Sequence, residues 1–218
     1  QRKHVLIPLS VLAFGLGVVA IAANRASAAI THRYSFTTDA TDSVGSANGT
    51  LFGTNGSFAG GQLVLANTGQ GSQNPGADGA YLDLPNGIVS SSAASGTNGV
   101  VTVEMWITMQ QNRDWAAAFT AGISVGGEDQ ALCCNDDHPY IQIIPRTGDG
   151  GQGNDLRVTS NSYGGPEGFV DDQGAGNGTD LQVGRKEHVV AVFDQSANPN
   201  PTAAPYGTLT VYRNGSLM

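Results

Sequence analysis

The chain has 218 residues, with 31 glycines, only 13% charged residues, a formal net charge of -8 and a pI near 4.7. Its 10 Lys and Arg in total cannot form the clustered cationic surface that phosphate backbones require, which argues against nucleic acid as a partner. Hydrophobic residues make up 39% of the chain and are gathered into alternating runs, so it can bury a core and does not read as disordered.

The first element in chain order is a leader. Arg2, Lys3 and His4 form a basic start, an apolar run follows from Val5 to Ala23, and Ala26-Ser27-Ala28 supplies small residues in the pattern a peptidase recognises. These three parts predict a signal helix over 1–28, cut after Ala28. The apolar run is near bilayer-spanning length, so a retained anchor is the alternative, although Pro8, Gly15 and Gly17 weaken a membrane helix. Either way the domain, residues 29–218, is expected to be secreted or held at the cell surface, with membrane contact only through an uncleaved N-terminus.

From His32 onward the period is two. His32, Tyr34 and Phe36 share one side of the first run, and short alternating runs recur at "GQLVLAN", "AYLDLP", "GVVTVEMWITMQ", "PYIQIIPR", "DLRVTS", "EHVVAVFDQ" and "GTLTVYRNG". Between them lie Gly, Asn, Asp, Ser and Pro clusters, including Asn-Gly pairs at Asn48, Asn55, Asn86, Asn98, Asn177 and Asn214, which tolerate the positive φ of tight turns. No amphipathic helix is evident in the mature part; "RDWAAAFTAG" reads as a helical turn or a short strand. Many short strands separated by turns predict an antiparallel sandwich or jelly roll.

Three stretches carry candidate chemistry. In "YSFTTDATDSVGSANGTLFG", Asp39 and Asp42 with nearby carbonyls offer the oxygens that calcium takes, although the spacing is not that of a helix-loop-helix site. The competing reading is an Asx turn in which Asp42 accepts the following backbone amides. In "VVTVEMWITMQ", Val101, Val103, Met105, Ile107 and Met109 form one face and Val100, Thr102, Glu104, Trp106 and Thr108 the other, as in a central strand whose second face is partly covered. Trp106 is then expected to be a covered core aromatic, and Glu104 a hydrogen-bonded structural carboxylate or a ligand contact. In "GGEDQALCCNDDHPYIQ", Cys133 and Cys134 are adjacent, poorly placed for an ordinary bridge, and closer together than zinc sites space their cysteines. Asp136, Asp137, His138 and Tyr140 are candidates for ligand contact there, because sandwiches often bind through loops.

Taken in order, "HRYSF", "DSVGSANGTL", "GGQLVLANTG", "AYLDLPNGIVSS", "VTVEMWIT", "HVVAVFD" and "GTLTVYRNGSL" resemble the laminin-G-like, concanavalin A-like lectin/glucanase domain of secreted bacterial proteins. The resemblance implies an all-β fold, an antiparallel two-sheet jelly-roll sandwich, used for recognition more often than for chemistry. Asp42-Ser43-Val44-Gly45 matches the Asp-Ser-x-Gly turn of these domains, some of which hold a structural calcium there. Relative to the family the chain reads as truncated at its C-terminus, which predicts an open edge beside His32–Phe36. Glucanases of this fold carry Glu-x-Asp-x-Glu on one strand, and no such pattern occurs; Glu104 has Trp106 and Thr108 in the same-face positions. Hydrolysis needs two carboxyls flanking one bond, so catalysis is not expected. The expected function is exported, non-catalytic recognition of a glycan or an extracellular protein, against two alternatives: a structural module with no ligand, and a degenerate glucanase-like hydrolase.

Overall fold

The computed structural model describes residues 29–66, 79–90, 99–122, 140–148, 155–161, 168–171, 180–194 and 207–218. Residues 1–28, and Cys133, Cys134, Asp136, Asp137 and His138, lie outside them. The described part is mostly β-strand with antiparallel pairing throughout, and residues 88–90 are its only helical turn. Among the described residues no helix is long and apolar enough to cross a membrane.

The strands are β1 (Thr50–Phe52), β2 (Gly56–Ala59), β3 (Gln62–Leu65), β4 (Tyr81–Asp83), β5 (Val100–Thr108), β6 (Phe119–Gly122), β7 (Tyr140–Ile144), β8 (Arg157–Asn161), β9 (Gly168–Asp171), β10 (Lys186–Asp194), β11 (Thr208–Arg213) and β12 (Ser216–Leu217). They form two four-stranded sheets, in the orders β12-β11-β10-β5 and β6-β7-β8-β9, and two small ribbons, β1-β4 and β2-β3. Two of the hairpins are closed by residues with positive φ on both sides of the reversal. These are Gly60-Gly61 (61° and 72°) between β2 and β3 and Asn214-Gly215 (51° and 83°) between β11 and β12. That handedness matches the strand twist, which is why glycine and asparagine stand there.

The two large sheets face each other across one core. Val189, Ala191, Phe193 and Val211 from the first sheet meet Ile143 and Val158 from the second, with Leu156, Leu181 and Met109 closing the ends. Val103, Met105 and Ile107 pack against the same cluster, so the inner face of β5 is the one its aliphatic alternation predicts. Burying these side chains is the main favourable term for the fold.

Three expectations fail here. Among the described residues the strand β5 is not central: it pairs with β10 and stands at the end of the sheet. Trp106 is not a core aromatic: it is 63% exposed, because alternation turns it away from Met105 and Ile107. The segment His32–Phe36 forms no strand edge either. Its one ladder contact is the bridge Tyr34–Asp42, and Tyr34, Phe36 and Phe58 stack in series at 6.1 and 6.2 Å.

Candidate functional site: the outer face of β5 and β10

The antiparallel register between β5 and β10 sets His188 opposite Trp106 and Val190 opposite Glu104, and β11 adds Tyr212 beside Val190. All of them lie on the face turned away from the core. The His188 ring stacks on the Trp106 indole at 4.5 Å and 24°. Its Nε2–H donates to Glu104 Oε1 at 2.8 Å, a direction required because an ionised carboxylate can only accept. Lys186 Nζ sits 5.2 Å from the centre of the indole ring, within cation–π range.

A large apolar ring this exposed on a rigid strand is informative in a way that a lone surface leucine is not. The indole presents an electron-rich plane, while Glu104, His188, Lys186 and Tyr212 supply acceptors and donors around it. This arrangement is suited to binding. Among the described residues, Val190 and Tyr212 stand in the row across from Glu104.

The site is held from beneath. Glu187, on the inner side of β10, is fully buried and accepts from Arg213 Nε and an Arg213 terminal nitrogen (2.7 and 2.9 Å), from Asn214 Nδ2 (2.9 Å) and from the Gln182 backbone (3.2 Å). Burial pushes its pKa up, but these bonds outweigh burial and bring it down to about 2. Asn214 Oδ1 accepts the His188 amide at 2.9 Å, so the β11–β12 turn and the strand bearing His188 are tied together.

The residues singled out from the sequence fall elsewhere. Tyr140 opens β7 and is buried, on the side of the strand opposite Ile141 and Ile143. Asp39 accepts the Thr41 amide at 2.9 Å, which lowers its pKa. Asp42 is buried and engaged on both oxygens. Oδ1 accepts the amides of Arg33, Val44 and Gly45 (3.0, 3.1 and 3.0 Å), and Oδ2 accepts the Ala47 amide (3.1 Å) and His32 Nδ1–H (2.7 Å). Burial opposes ionisation, but the His32 bond and the amides hold Asp42 well below the ordinary carboxylate range. The Asp42 amide in turn donates to Asn48 Oδ1 (2.9 Å). These contacts describe the turn-capping role, and the two aspartates share no donor. Among the described residues no group of three or more His, Cys, Asp or Glu side chains is arranged to hold a metal.

His188 stands 84 residues from Glu104, so no local motif joins the two. The usable signal was periodicity: in "VTVEMWIT" and "KEHVVAVFD" the polar and aromatic residues that form this face lie two apart. No family model, curated protein or solved structure matches the chain.

Proposed function

We propose that the chain is an exported, non-catalytic recognition module that binds a glycan on the outer face of β5 and β10, and that its two sheets form a laminin-G-like jelly-roll sandwich. The observation that carries this reading is the exposed Trp106 indole, stacked on His188 beside Glu104. One face of a pyranose presents C–H groups that pack on an indole plane, and the hydroxyls at its rim find both acceptors and donors here. A structural calcium bound at Asp42 is not part of the proposal, since five donors already occupy that carboxylate.

The test is affinity electrophoresis through gels containing soluble polysaccharides, comparing the domain with Trp106→Ala. Retardation that is weakened in the variant while its melting midpoint holds supports the reading. A domain retarded by no glycan refutes it and favours a structural module, and one equally retarded without Trp106 refutes the outer face of β5 and β10 as the glycan site.

A further inference from the structure

The outer face of the second sheet carries an aromatic floor of its own. Val158 and Val170 reach the core, so alternation places Arg157, Thr159, Phe169 and Asp171 on the opposite side of β8 and β9. The Arg157 guanidinium lies between two rings, 5.3 Å from the centre of Trp115 and 4.5 Å from that of Phe169. It is ion-paired with Asp171 at 3.1 Å. Both rings remain accessible, Trp115 at 49% and Phe169 at 46%.

The placement of Trp115 is costly and is held in place. Its φ is 58°, a left-handed backbone that a bulky residue seldom adopts. Its amide donates to the Arg146 carbonyl at 2.9 Å. Its indole is pressed against Gly148, where an added Cβ would come within 3.0 Å of Nε1. Arg146 itself is bonded to Asp114 at 2.6 Å and to Asp180.

We propose that Trp115, Arg157 and Phe169 form a second glycan-binding floor, on the side of the sandwich away from Trp106. Two half-exposed rings flanking one guanidinium offer adjacent stacking positions, which suits successive sugars of a chain more than a single sugar. Arg157 is neutralised by Asp171 and Arg146 stands between two aspartates, so the floor attracts no anion and its ligand is a neutral glycan. The geometry of this floor is independent of the Trp106 site; only the bivalency of the domain rests on that reading.

The experiment uses affinity electrophoresis in β-glucan, xylan, galactomannan and polygalacturonate, with the wild-type domain, Trp106→Ala, Trp115→Gly, Phe169→Ala and the Trp106→Ala/Trp115→Gly double variant. Trp115→Gly removes the ring while keeping a residue at ease with positive φ, so lost folding does not confound it. Each single variant is expected to weaken binding to one neutral polysaccharide by about tenfold, equivalent to roughly 1.4 kcal/mol, and the double variant to abolish it. Loss on Trp115→Gly and Phe169→Ala alone, with Trp106→Ala silent, upholds this floor and refutes the Trp106 reading. Loss on Trp106→Ala alone, retardation only in polygalacturonate, or no retardation of the wild type overturns the second floor.

Discussion

At the scale of single residues, two of the buried carboxylates, Glu187 and Asp42, have lowered pKa values that shape the response to acid. Glu187 falls from an ordinary 4.5 to about 2. Its folded value lies below its unfolded one, so its stabilisation is complete above the unfolded value and is lost as pH drops through the folded one. Unfolding titrations between about pH 5 and pH 2 should therefore show stability falling, by at most about 3 kcal/mol for this group. Glu187→Gln should flatten that part of the curve while lowering stability at neutral pH. Asp42 contributes in the same direction. Because Asp42 accepts on both oxygens, Asp42→Asn turns an amide donor toward either the Ala47 N–H or the cluster of Arg33, Val44 and Gly45 amides. It should cost about 1–3 kcal/mol, and the melting midpoint should be the same in calcium and in chelator. A midpoint raised by calcium in the wild type and not in the variant would restore the metal reading. Trp106→Ala should change stability by less than about 1 kcal/mol, the range of surface substitutions; a larger loss by thermal melting would mean that the indole is packed.

At the scale of elements, hairpin chemistry and core packing make separate predictions. Asn214→Ala removes a residue that tolerates left-handed backbone, the acceptor of the His188 amide and a donor to Glu187. A loss of about 1–3 kcal/mol is expected from denaturant midpoints. Ile143→Ala opens a cavity where the two sheets meet and should cost about 2–5 kcal/mol. Much of this layer was readable beforehand. The runs "VVTVEMWIT", "EHVVAVFD" and "LTVYR" form β5, β10 and β11, and Val103, Met105 and Ile107 of β5 face the core as their alternation predicts. Short strands such as β9 and β12 gave no periodic signal long enough to detect. The size of Trp106 argues for burial, whereas the strand's position at the end of the sheet and the choice of inner face are settled by pairing across many residues. The rows joining Glu104 to His188 and Trp115 to Arg157 exist only once distant strands are in register. For Asp42 the turn was legible in Asp-Ser-Val-Gly, but the His32 partner was not.

At the scale of the whole molecule, the sandwich has one well-protected layer and exposed margins. β10 is paired along both sides and supplies three buried core residues, whereas among the described residues β5 is paired only with β10. Native-state hydrogen exchange should show β10 amides opening only with global unfolding and alternate amides of β5 exchanging orders of magnitude sooner. Uniform protection along β5 would mean that its outer edge is covered. The strand alternation that exposes Trp106 also has an arithmetic form. Along β5, β10 and β11 the even-numbered positions, among them Glu104, Trp106, Lys186, His188, Thr210 and Tyr212, look outward. The odd-numbered Val103, Met105, Ile107, Val189, Ala191, Phe193, Leu209 and Val211 look inward. Recognition and folding are thus written on interleaved letters of the same three strands. A mutational library confined to the even letters can search for new specificity while leaving every core contact of those strands unaltered.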